Sequence, residues 1–293
     1  MPEIPVCIAT RPRTAFLYAC AFAGCWAVYQ KFEVYSTTGT YDYILTLSAG
    51  MQALAFALLS LDTKSGIGEG LSKKMLWVFM LAHTIRLCTT VPSKGYTPED
   101  STGDVYLYQL LELIGVLMLA YKIKSLTALR AMNTVGSGGE DWKTVAFITA
   151  ISAVLGYFTK STGHGHVLLD TSWMFSVWLD AFALFPQVTL LCTTCSFVDE
   201  TAAHFANLTL MASITFAIFW GRCAKDRYAE FERAGEHGFF YAILAASCIR
   251  VVLCSAYFYL FTRTASTYKG AMVSSHKGEY ELCHTRDDNF DEL

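Results

Sequence analysis

Four charged residues stand inside otherwise apolar runs of this chain: Arg86, Glu112, Asp180 and Arg250. A charge at bilayer depth costs a few kcal/mol on insertion scales, so each must face protein or a polar cavity and is a functional candidate by default. Arg86 stands near the end of its run. A guanidinium there holds a carboxylate in a bidentate fork, the geometry that suits a peptide C-terminus or an acidic side chain. Two competing readings are that Arg86 snorkels to the membrane boundary or pairs with a helix acid. Glu112 and Arg250 have opposite signs and suit an interhelix pair, structural or gating. From Trp173 to Leu191 there are nineteen residues, and Asp180 is the only charge among them. Pro186 in the same run removes a backbone donor, and Gln187 places an amide beside the break, which makes a natural hinge. Asp170, at the head of the run, suits an N-cap because its carboxylate accepts from the first free amides. These groups recognise and switch; they do not catalyse. No nucleophile–base pair, metal cluster or phosphate loop stands at useful spacing, so no enzymatic activity and no cofactor are expected.

Apolar helices must position these residues. The 293 residues are 54% hydrophobic and 16% charged, the composition of a polytopic membrane protein. A net charge of −3 without a basic run excludes nucleic acid as a partner. The ten cysteines lie mostly in or beside apolar spans, where thiols act as small hydrophobes. Cys192 and Cys195 form a C-x-x-C that reads as packing, with no partner pair at zinc spacing.

About eight spans are expected. Thr14 to Tyr29 is the first; its run continues past the small-x-small site at Ala21 to Ala23, which favours a retained helix over a cleaved signal. The others are Tyr43 to Leu61, Met75 to Val91, Val105 to Lys124, Thr144 to Phe158, the run Leu169 to Cys195, His204 to Trp220 and Phe239 to Thr262. Loops fall between them, the longest from Ser125 to Trp142, and a polar, disordered tail is expected from Arg263 to Leu293. Of the 22 Lys and Arg, leaving aside Arg86 and Arg250, thirteen fall on the side that holds both termini, Lys122 and Lys124 at the end of their span among them, and seven on the other, so both termini are expected in the cytosol. Asn207 to Thr209 fits a glycosylation sequon but lies inside a span.

The phrase Leu169-Asp170-x-x-Trp173-x-Phe175-Ser176-x-x-Leu179-Asp180-x-x-Ala183-x-x-Pro186-Gln187 resembles the fifth membrane helix of the ER lumen protein-retaining receptors, the KDEL receptors, with Asp where those have Glu. Gly70-Leu71-Ser72-x-Lys74 and Thr84-x-Arg86 resemble that family's first cytosolic loop and second helix. Glu200-Thr201, His204, Trp220 and the run Tyr257 to Phe261 fall at family-like places, so the resemblance covers roughly residues 42 to 270. It implies a fold similar to SWEET-type sugar transporters: two three-helix repeats joined by a linker helix, here residues 42–262, preceded by an added N-terminal helix in residues 1–41 and followed by the tail 263–293. Helix breaks in such parallel-repeat folds line a central cavity.

The resemblance further implies that the chain binds the C-terminal tetrapeptide signal of ER luminal proteins and returns them from Golgi to ER, with vesicle coat proteins recruited on the cytosolic face. Arg86, Asp170 and Trp173 match residues that line the lumenal mouth: an arginine for the signal, a carboxylate for the cargo lysine, an indole against the peptide. Asp180 matches a bundle-facing glutamate. His83, His164 and His166 are candidate pH sensors, since histidine changes charge between acidic Golgi and neutral ER. The family's own sensor histidine falls near Met51. Of three arginines that grip the signal only Arg86 stands in place: the others fall at Ile44 and Ser213, and an aspartate near the last aromatic cluster falls at Ala256. That loss is what the alternative predicts, a small-solute transporter of the SWEET or Pro-Gln-loop type; a third possibility is a receptor-like partner that no longer binds cargo. The chain ends Asp291-Glu292-Leu293, itself similar to an ER retrieval signal but expected on the cytosolic side.

Overall fold

A computed structural model of the chain describes residues 40–61, 71–92, 102–132, 142–161, 166–193, 200–226 and 237–275, together with Ala19 and Ala23. The expected first span, His164, Cys195 and residues 276–293 lie outside the described residues, apart from those two alanines. Every regular element among the described residues is α-helical: α1 Thr40–Leu61, α2 Lys73–Thr90, α3 Thr102–Met132, α4 Lys143–Phe158, α5 Val167–Phe182, α6 Phe185–Thr193, α7 Glu200–Asp226 and α8 His237–Ser275.

Local sequence explains where these helices differ from expectation. α3 continues past Lys124 through Thr127 and Ala128 to Met132, because the strong helix formers in Ser125 to Met132 outweigh the loop signal, which begins only at Gly136. α8 likewise runs past Thr262 to Ser275, so the expected start of the tail falls inside a helix. The run Leu169 to Cys195 is two helices rather than one. α5 stops at Phe182, four residues before Pro186, where the missing proline N–H and the ring's clash with the i−4 carbonyl must end an α-helix. The Ala183 N–H bonds to the Asp180 carbonyl at 3.2 Å, and the Gln187 and Val188 N–H groups both reach the Leu184 carbonyl at 3.0 Å, restarting the chain as α6.

Among the described residues, four segments are long and apolar enough to cross a membrane by length and composition: Tyr43–Ser60, Val167–Cys192, Thr201–Lys225 and Gly238–Arg263; Lys143–Phe158 is a shorter apolar helix. α2 carries Lys73, Lys74, His83 and Arg86, and α3 carries Glu112, so these two are more polar than a simple span.

α3 packs against both α1 and α2, and α8 packs against both α7 and α5. Across these two groups α1 meets α7 and α2 meets α5. α4 makes its extensive contact with α5. In lipid, packing and interhelical hydrogen bonds hold helices together, and small residues let backbones approach. Ser48 Oγ donates to the Ala212 carbonyl at 2.8 Å, joining α1 to α7, and Ser60 Oγ donates to the Met118 carbonyl at 2.7 Å, joining α1 to α3.

α4 crosses α5 at a buried face of Ile148, Ser152 and Gly156. A Cβ on Gly156 would stand 2.7 Å from the Phe175 backbone nitrogen and 2.8 Å from its Cα, so no side chain fits without parting the helices. Gly156→Ala is therefore expected to lower stability by about 1–3 kcal/mol, the usual cost of overpacking. Thermal unfolding in detergent reads this, and an unchanged melting temperature would contradict so close a crossing.

Candidate functional site

The two apolar clusters of the bundle meet at a knot of charge. One contains Phe56, Phe79, Phe205 and Tyr257; the other contains Trp173, Trp220, Phe239 and Ile243. Between them lie His83, Arg86, Glu112, Asp180 and Arg250, none more than 5% exposed. Phe56 of the first cluster meets the His83 ring edge-on at 5.3 Å, and Phe216 of the second lies 5.9 and 5.8 Å from the guanidinium carbons of Arg86 and Arg250. Groups taken so far from water must satisfy one another.

α2 supplies His83 and Arg86 from successive turns of its buried face. Both its ends are fixed. At the start, Ser72 is the N-cap, its hydroxyl accepting from the Met75 N–H at 3.4 Å, while its own N–H donates to Gln187 Oε1 at 2.7 Å. Gln187 thus ties the restart of the broken helix to the start of α2. At the end, the hydroxyls of Thr89 and Thr90 donate to the Arg86 carbonyl at 2.8 and 2.9 Å, and Gln109 Nε2 of α3 donates to the Thr90 carbonyl at 2.8 Å.

Side chains on a helix lean toward its N-terminus, so Arg86 reaches back into the bundle rather than out past Thr90. Its Nη2 donates to Asp180 Oδ2 of α5 at 2.8 Å, and its Nη1 lies 3.5 Å from Glu112 Oε1 of α3. Glu112 Oε2 contacts His83 Nδ1 at 2.5 Å. Arg250 of α8 donates from Nη1 to the same Asp180 Oδ2 at 2.7 Å and from Nη2 to Gln52 Oε1 of α1 at 2.9 Å. Five helices converge here. With His83 neutral, two arginines face two carboxylates and the cluster balances.

Of the sequence candidates, the structure brings together Arg86, Glu112, Asp180 and Arg250. Arg86 pairs with helix acids, the competing reading of that residue. Glu112 and Arg250 have other partners rather than each other: His83 and Arg86 for the first, Asp180 and Gln52 for the second. Gln187, 1% exposed, stands apart as the clamp on α2. Asp170 and Trp173 precede Asp180 by ten and seven residues, about 15 and 10 Å up α5. Both are buried: Trp173 packs on Trp220 and Phe239 at 5.7 Å each, among aromatic rings of α7 and α8. Asp170 is not the N-cap it suits by sequence. α5 begins at Val167 after His166, and the Asp170 N–H already makes the helical bond to the His166 carbonyl at 3.0 Å. Its carboxylate still lies in the first turn, favourable to the helix dipole.

Gln52 and Phe216 join the site without having been flagged. Gln52 could have been found as the polar amide in an otherwise apolar run. Phe216 carries no such signal. Ser213, where the third arginine of the resembled pattern falls, contacts Cys254 Sγ at 3.2 Å, and Cys254 lies one turn from Arg250. A guanidinium therefore does occupy this neighbourhood, delivered by α8 instead of α7.

Residues 68–222, just over half of the chain, match the family described as ER lumen protein retaining receptor. No curated protein matches the chain.

Proposed function

The chain belongs to the ER lumen protein retaining receptor family, and from that premise we propose that it binds the C-terminal signal of ER luminal proteins and returns them from Golgi to ER. The family and the apolar helices make it a multi-pass membrane protein of the secretory pathway. The observation that carries the reading is Arg86: a buried guanidinium, held at the crossing of α2, α3 and α5, whose bonding partners are carboxylates. Such a group is suited to the acidic side chains and terminal carboxylate of a retrieval signal. Asp170 and Trp173, further up α5, are the proposed contacts for the rest of the peptide, and vesicle coat proteins are the proposed cytosolic partners.

The proposal extends to the architecture. Spans α1 to α3 and α5 to α8 form two three-helix repeats, α5 and α6 together making one span and α4 the linker, with an eighth span from the N-terminal extension. Its support is the shared packing order: the last helix of each set lies between the other two, and the sets meet crosswise, α1 with α7 and α2 with α5.

The test is binding of labelled peptides ending in Lys-, His- and Phe-Asp-Glu-Leu to the purified protein at about pH 5.5 and 7.4. Tighter binding at the acidic pH, weakened in Arg86→Ala, is the expected result. Binding of none of them at either pH, accompanied by solute uptake in proteoliposomes, would replace this reading with a transporter.

His83 is the proposed proton acceptor. It faces Glu112 of α3 directly; Arg86 of its own helix shares that carboxylate, Tyr108 stands one turn before Glu112, and Asp180 and Arg250 complete the surrounding charge. One proton on His83 gives the balanced cluster a net positive charge, which favours an acidic peptide. His83→Gln is expected to leave binding at about pH 7.4 intact and to erase the gain at about pH 5.5. A variant that keeps the full gain would move the sensor elsewhere.

A further inference from the structure

Building on the reading that acidic signals bind at Arg86, we propose that Arg86 and Arg250 together form a two-arginine carboxylate site whose occupant in this structure is the protein's own Asp180, and that a ligand carboxylate binds by taking its place.

The geometry points there through one oxygen. Asp180 Oδ2 accepts from Nη2 of Arg86 at 2.8 Å and from Nη1 of Arg250 at 2.7 Å. An arginine–carboxylate pair frequently uses two parallel hydrogen bonds, one to each oxygen. Here two guanidinium groups from two helices crowd onto one oxygen, and Oδ1 has no hydrogen-bond partner among the described residues. The donors are in surplus too. Nε of Arg86, Nε of Arg250 and Nε2 of Gln52 are buried without a partner among the described residues. Buried polar atoms are nearly always bonded, so a group of four around one pair of arginines marks a site that Asp180, fixed on its helix, fills poorly and that a carboxylate free to orient would satisfy. Both guanidinium groups also approach the ring of Phe216, which holds them side by side.

Charge explains why the occupant resists exchange. The cluster is balanced with His83 neutral, so an incoming carboxylate brings one negative charge too many. Two changes restore the balance: a proton on His83, which lies against Glu112, or removal of the charge on Asp180. The second can be made permanent. Asp180→Asn keeps the size of the side chain, leaves two arginines with Glu112 as their sole acid, and lets the ligand supply the missing charge.

The experiment has two arms on the full-length purified protein. In the first, labelled peptides ending in Asp-Glu-Leu are titrated into the wild type and Asp180→Asn at about pH 7.4; the expected result is affinity tighter by about tenfold or more in the variant. Equal or weaker binding by the variant, with the wild type binding, would overturn the proposal and make Asp180 an ordinary contact or counter-ion. The second arm needs no peptide. Asp180→Ala opens the space of the missing carboxylate, and acetate is added during thermal unfolding. Acetate is expected to raise the melting temperature of Asp180→Ala, but neither that of the wild type nor that of Asp180→Ala combined with Arg250→Gln. No acetate effect on Asp180→Ala would overturn the carboxylate site. If no peptide binds either protein, the retrieval reading fails while the acetate arm still decides the site.

Discussion

Arg86→Ala is expected to lower both stability and peptide affinity by more than any other single change in the bundle. The guanidinium touches both acids of the cluster, with Asp180 Oδ2 at 2.8 Å and Glu112 Oε1 at 3.5 Å. Without it, two carboxylates share Arg250 and His83, and the cluster holds an unbalanced negative charge. Breaking a buried pair by removing one partner costs about 3–5 kcal/mol, because the surviving charge stays out of water. A marked fall in melting temperature in detergent is the readout. Affinity should fall as well: one lost charge-assisted contact is worth about 1.5–3 kcal/mol, or roughly 10- to 150-fold. Arg86→Lys separates the two effects, since it keeps the charge and loses the fork. It should recover more of the stability than of the binding. A melting temperature equal to wild type for Arg86→Ala would show that the cluster does not hold the bundle together.

Glu112→Ala should approach that loss in stability, and its loss should depend on pH. Glu112 binds His83 through one oxygen and faces Arg86 through the other. Its removal leaves Arg86 and Arg250 both relying on Asp180, a net positive site, at a cost of about 3–5 kcal/mol. Acidification makes this worse, because a proton on His83 then adds a cation to a site already net positive. The melting-temperature difference between wild type and Glu112→Ala should therefore widen from about pH 7.4 to 5.5. Glu112→Gln, which still accepts a hydrogen bond from His83, should fall between the two. A difference that stays constant with pH would mean that His83 takes up no proton in this range.

The helices were legible because apolar runs of membrane length have few other uses. Their chemistry was legible for the same reason, since Arg86, Glu112, Asp180 and Arg250 stand out only against apolar neighbours. Partners were not. Which acid meets which base depends on helix rotation and neighbour order, and the long apolar faces of α1, α7 and α8 leave both open. Hence Glu112 turned to His83 and Arg86, and Arg250 to Asp180 and Gln52. Pro186 announced a hinge but not that the helix would end at Phe182 and restart at Phe185. Asp170 misled as a cap because the cap preference is local, whereas the start at Val167 places Asp170 at the fourth helical position. The charges that build the site also keep α2 out of the segments that composition alone marks as spans.

α4 carries a consequence for where such a protein can reside. Its sixteen residues from Lys143 to Phe158 rise about 24 Å as an α-helix, and the close crossing at Gly156 holds them against α5. A typical hydrocarbon core is about 30 Å thick, that of the ER a few Å thinner and that of the plasma membrane a few Å thicker. As the proposed linker span, a helix this short would strain a thick bilayer, which would thin locally around Phe147, Val154 and Phe158 on its exposed face. Hydrophobic mismatch of this kind costs fractions of a kcal/mol per Å and adds up over many molecules into sorting. In the proposed architecture, with α4 as the linker span, bilayer thickness itself would favour thinner membranes over thicker ones, independently of any coat or cargo.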